Sequence, residues 1–189
     1  YTDIENQCYY MYGTTALKEN SIDAGNTFSV YKTRDLENFE DPKVVVDGAK
    51  LGFWADRDFW APEVHVYNGK YYLYPSTADG RGGIKVYEST DLVNWTYMGF
   101  AVAEDEPTSV GAYAPEVIYY NGYFYMCQSR AGKGHYIYRS ESPTQGFELV
   151  STSGLSDDDL DKGNLGMGID GSFYVSDDGK LYIMHTSTP

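Results

Sequence analysis

Asp170 follows an apolar Ile169 and precedes Gly171, at a point where two earlier, similar stretches carry Ala61 and Ala114. A carboxylate facing others across a narrow passage raises their pKa, and lets one group of the set stay protonated near neutral pH. Two carboxyls roughly 6.5 to 9.5 Å apart, one acid and one base with room for water, are what an inverting sugar hydrolysis requires. Asp170 is therefore the candidate catalytic residue; capping a local turn through nearby backbone N–H groups is its alternative role. Glu63 and Glu116 are the obvious partners, but each lies two residues deeper in its strand on the same alternation phase. Both recur identically in Ala-Pro-Glu-Val. That recurrence favours a structural role, bonding backbone or a neighbouring sheet.

Candidate binding residues surround this position. Trp60 and Tyr113 begin the two related stretches, where their rings could stack on the apolar face of a sugar or simply plug an opening. Trp54 joins them as a further aromatic surface, and His185 stands where it could meet a substrate or an ion. A lone His is no metal signature. His65 is expected on a strand surface, and His135, after Ala-Gly-Lys-Gly, is expected to be structural. The acidic Ser156–Asn164 stretch lacks the alternating ligand spacing of a helical calcium loop and reads as a solvated connection.

The elements that place these residues are repeated. Trp60–Tyr74 and Tyr113–Met126 nearly match, and Ile169–Met184 is a looser third version. Each has a short apolar run, a turn (Asn68-Gly69, Asn121-Gly122, Asp178-Gly179) and a Tyr-rich run, the signal of a hairpin. The opening residues match the second half of the same hairpin, with a turn over Asp3–Gln7 and a strand from Cys8 to Tyr12. Third strands begin near Phe28, Ile84 and Ile137, and each ends in a charged turn followed by Phe39, Trp95 or Phe147, which should pack between neighbouring sheets. Fourth strands follow near Lys43–Val46, Met98–Val102 and Glu148–Ser151. A strand-built repeat of this length predicts an all-β chain of β-propeller blades, about three and a half of them over residues 1–189 as a single partial domain. In a propeller the first strand lines the channel and the second runs back antiparallel. Trp60, Tyr113 and Asp170 should then meet Thr14, Ser76, Ser129 and His185-Thr186 at one mouth. Fewer than four blades leave an open ring, so further chain or a partner is expected to cover the sheet edges.

Composition narrows the function classes. The 42% hydrophobic content suits a folded domain, and 20 tyrosines suit both half-buried strands and sugar-binding surfaces. A formal charge of −14 repels nucleic acid over most of the surface. No run of about 18 apolar residues exists, so no helical membrane span is expected. Cys8 and Cys127 fall in apolar second strands and read as free, buried thiols.

The blocks YYMYGTT, WAPEV, YAPEVIYYNGYFYM and above all GIDGSFYVSDDGKLYI resemble glycoside hydrolase family 43 over essentially the whole chain. The resemblance implies a five-bladed propeller that removes arabinose or xylose units from plant polysaccharides by inversion. It implies an Asp as general base in a first-blade Asp-Pro motif, a second Asp that tunes and positions the acid, and a later Glu as general acid. Only the second matches, at Ile169-Asp170-Gly171, with Gly where many members have Pro. The extra Ala-Pro-Glu-Val blade around Tyr113 departs from the commonest order. The base and acid are expected before Tyr1 and beyond Pro189, so these residues alone should be inactive. No cofactor is evident from the residues; the resemblance implies calcium or sodium on the channel axis. It also implies extracellular or periplasmic residence, with the cytoplasm as the alternative. The competing reading is a non-catalytic carbohydrate-binding module that uses Trp60, Tyr113 and Trp54.

Overall fold

The computed structural model describes residues 1–16, 24–51, 59–77, 81–130, 134–150 and 169–186. Trp54 and the acidic 156–164 stretch lie outside the described residues. Short alternating runs bounded by turns fold almost wholly as strands. The first sheet contains β1 (Thr2–Asp3), β2 (Cys8–Ala16), β3 (Ala24–Thr33) and β4 (Lys43–Asp47). A one-turn helix, α1 (Gly48–Leu51), follows it. The second sheet contains β5 (Phe59–Tyr67), β6 (Lys70–Thr77), β7 (Ile84–Ser89) and β8 (Thr96–Val102). The third contains β9 (Tyr113–Tyr120), β10 (Tyr123–Arg130), β11 (Gly134–Ser140) and β12 (Glu148–Leu149), and β13 (Ser172–Val175) pairs with β14 (Leu181–Met184). Strands stay in chain order within every sheet, each antiparallel to the next. These are propeller blades, three four-stranded and one two-stranded among the described residues.

The core lies between sheets. Phe28 and Val46 of the first blade bury themselves against Phe59, Leu73 and Tyr87 of the second. Tyr74, Val86 and Val102 meet Val117, Phe124 and Tyr138 of the third. Stacking the apolar faces of successive sheets removes them from water without closing any one sheet on itself.

A repeated clasp fixes the first two stackings. After β7, Ser89 Oγ accepts the Asp91 and Leu92 amides, while Asp91 accepts those of Val93 and Asn94. These local bonds hold Leu92 at a φ of 66° and present its carbonyl to the Tyr12 hydroxyl of the preceding blade. Trp95 then meets the Tyr12 ring edge-on at 5.8 Å. One blade later the Tyr74 hydroxyl donates to the Pro143 carbonyl at 2.7 Å, and Phe147 stands edge-on to Tyr74. Trp95 and Phe147 thus pack between blades. Phe39 does not: the first blade has no described neighbour on that side, and the ring is 44% exposed.

His65 also departs from expectation. Rather than lying on a strand surface it turns edge-on to Phe124 of the next blade, 6.1 Å between ring centroids, and burial lowers its pKa. The third blade packs against this side of β5 and takes His65 out of water.

Candidate active site

The three aligned positions share one backbone conformation. Ala61, Ala114 and Asp170 have φ values of 44°, 42° and 59°, a left-handed region that non-glycine residues seldom enter. In β5 the cause is a bulge: Trp60 pairs with Ser76 and Glu63 with Tyr74, so Ala61 and Pro62 face one residue of β6. In β9 Tyr113 pairs with Ser129 and Glu116 with Cys127, which leaves Ala114 and Pro115 in the same arrangement. Proline is tolerated there because a bulge leaves the ladder one amide short in any case.

Hydroxyls at the ends of second strands brace these corners. Ser76 donates to the Trp60 carbonyl at 3.1 Å, Ser129 to that of Tyr113 at 3.4 Å, and Thr186 to that of Ile169 at 2.8 Å. Each closes its own hairpin. Ser129 also serves the next blade, its Oγ accepting the Asp170 amide, and Thr14 Oγ1 accepts the Ala61 amide across the first boundary, both at 3.4 Å.

Between the corners lies a cleft of about 190 Å³, lined by Ala61-Pro62-Glu63, Ala114-Pro115-Glu116 and Asp170-Gly171. Asp170 is exposed at its rim, whereas Glu63 and Glu116 are partly buried below it. Glu116 is committed structurally: one oxygen accepts the Ser172 hydroxyl at 3.0 Å and the Phe173 amide at 2.8 Å. Glu63 is different. Burial, then the charge of Glu116, push its carboxyl up to about 7, with the α-amino group of Tyr1 acting the other way. Glu63 is therefore the carboxyl of this cleft shifted toward neutral pH, whereas its recurrence in Ala-Pro-Glu-Val favours a structural role. The signal was available in the Ala-Pro-Glu repeat, which sets two like charges at equal depth on adjacent blades.

Of the residues singled out from the sequence, Asp170 lines this cleft, and Trp60 and Tyr113 sit one residue outside it in β5 and β9. Trp60 is 39% exposed and available to a ligand. His185 is exposed, with its ring 4.9 Å from that of His135 and its Nδ1 2.9 Å from the Thr186 carbonyl. Among the described residues no three His, Cys, Asp or Glu side chains stand together as metal ligands would. The described residues thus offer no such side-chain cage to an axial ion. Nor is any helix of the described residues long and apolar enough to cross a membrane.

Comparison with known proteins gives this geometry its context. The family model described as Glycosyl hydrolases family 43 matches residues 1–83 and 71–189. A xylan 1,3-beta-xylosidase of Vibrio sp is 28% identical over 131 residues, 66% of this chain and 24% of the enzyme. The chain thus spans about a quarter of the length of the first curated relatives it matches. The crystal structure of a thermostable family-43 glycoside hydrolase superposes with a TM-score of 0.53 at 29% identity, covering 66% of this chain and 40% of that one. Zg3597, a family 117 glycoside hydrolase of Zobellia galactanivorans, shares the fold over 96% of this chain and 63% of its own, with a TM-score of 0.64 at 17% identity.

Proposed function

The chain belongs to glycosyl hydrolases family 43, and on that premise we propose that it carries part of an inverting site for glycans containing arabinose or xylose. The observation that carries this reading is Asp170, held in a left-handed corner at the rim of a cleft that also contains Glu63 and Glu116. Asp170 is assigned the tuning and orienting of the acid that protonates the leaving oxygen. Trp60, Tyr113 and Trp54 stack on sugar rings, and His185 hydrogen-bonds a hydroxyl. The Vibrio relative's xylosidase activity supports the pentose assignment. We place the protein outside the cell or in the periplasm, and strands of further chain or a partner cover the edges of β1 and β14.

Inversion needs an acid and a base on opposite sides of the sugar. Glu116 is bound to β13 and Glu63 lies deeper, so the described rim offers Asp170 alone. The pure 189-residue chain is therefore expected to bind pentose oligosaccharides without cleaving them. Release of nitrophenol from an aryl arabinoside or xyloside by this chain would refute that assignment.

The exposed Trp60 ring supports a second reading, a carbohydrate-binding module. Calorimetry with xylan and arabinan oligosaccharides separates the two. Binding that survives Asp170→Asn, with no turnover in any longer chain containing these residues, selects the module.

A further inference from the structure

Asp170 is held from outside its own sheet. Its amide meets Ser129 Oγ at 3.4 Å, and that hydroxyl is itself directed to the Tyr113 carbonyl at 3.4 Å. Ser129 itself is fully buried, and both contacts are partly shielded from water. One residue further on, the Gly171 carbonyl accepts the Cys127 thiol at 3.1 Å. Burial, then the charge of Glu116, push that thiol up to about 12, which keeps it an S–H donor. A Cβ on Gly171 would stand 2.7 Å from His135 Cδ2. Cys127, Ser129 and His135 all belong to β10 and β11 of the preceding blade, which forms a seat for the Asp170-Gly171 corner.

We propose that Ser129 is the positioning residue of Asp170, fixing the carboxylate at the cleft rim by holding its backbone in the left-handed turn. This rests on the reading of Asp170 as a member of the sugar site. Thr14 makes the same contact with Ala61, a residue with no functional side chain, so the bond belongs to the corner and is turned to use only where the corner carries a carboxylate. A threonine can fill the role, as Thr14 does; an alanine cannot.

Backbone NMR of the isotopically labelled chain, combined with calorimetry on xylo- and arabino-oligosaccharides, tests this. In Ser129→Ala the Asp170 amide resonance should move while that of Ala61, served by Thr14, stays. Oligosaccharide affinity should fall roughly fivefold, the equivalent of one lost neutral hydrogen bond. Ser129→Thr should restore both. Should Ser129→Ala fail to fold, Ser129→Cys keeps a side chain of the same shape with a slightly larger atom, weakens the acceptor and is read in the same way. An unmoved Asp170 amide overturns the proposal, as does equal movement of Asp170 and Ala61, which would mean general loosening. If the unaltered chain binds no oligosaccharide while the Asp170 amide still responds to Ser129→Ala and Ser129→Thr, the positioning stands and the sugar reading falls.

Discussion

Glu116 reaches across a blade boundary to accept the backbone amide of Phe173 at 2.8 Å, at the point where β13 begins. With the Ser172 hydroxyl on the same oxygen, one carboxylate anchors the edge of the following sheet.

Glu116→Ala should destabilise the chain by about 1.5 to 3 kcal/mol, the range for hydrogen bonds to a charged group. Glu116→Gln keeps an acceptor and should cost less. Urea denaturation gives the magnitudes, and amide exchange should accelerate first in β13 and β14.

The neighbouring Glu63 makes stability depend on pH. Its folded value of about 7 lies above the ordinary 4.5, so across that interval the folded chain keeps a proton that the unfolded chain has released. Its contribution is full below about 4.5 and is lost as pH rises through 7, a difference on the order of 3 kcal/mol. Asp91 acts in the opposite sense at lower pH. Burial raises it, but the amides of Asn94 and Val93 and the side chains of Asn94 and Ser89 outweigh that and hold it at about 2. Its stabilisation is present above the ordinary 3.8 and is lost as pH falls through 2. Urea midpoints should therefore be highest between pH 4 and 5 as far as these two groups decide, and Glu63→Gln should flatten the decline toward pH 8. A decline of equal size in Glu63→Gln would assign it elsewhere.

Gly171 and His135 should show coupling. Gly171→Ala forces a methyl against the imidazole and should cost about 1 to 3 kcal/mol. His135→Ala opens that space, so the double variant should lose less than the sum of the singles in a thermodynamic cycle.

The clasps at successive boundaries should behave independently. Tyr12→Phe leaves the Leu92 carbonyl and Tyr74→Phe the Pro143 carbonyl without its hydroxyl donor. Each should cost about 1 kcal/mol, and the pair should add, because the two contacts share no partner.

Much of this arrangement is legible in the sequence because the repeat imposes it. Aligning Asn68-Gly69, Asn121-Gly122 and Asp178-Gly179 makes Ala61, Ala114 and Asp170 equivalent, and the backbone gives all three the same left-handed turn. Hairpin chemistry is local, so short motifs carry it. What depends on the next blade is not local. The alternation that suggested a wet surface for His65 says nothing of Phe124 on the neighbouring sheet, and Trp95 and Phe147 find their partners, Tyr12 and Tyr74, only on the preceding blade. The proton on Glu63 has the same origin, since it arises from burial and from Glu116 on a different sheet.

The hydroxyls that brace the corners carry an implication for engineering. Thr14 and Ser129 each bond to the sheet that follows them, so the smallest interchangeable unit is not a blade as the eye divides it. A graft cut between β4 and β5, or between β12 and β13, would import a corner and leave behind the residue that shapes it. Chimeras spliced within a β5–β6 or β9–β10 hairpin, keeping each hydroxyl with the corner it supports, should preserve a cleft that whole-blade exchanges would distort.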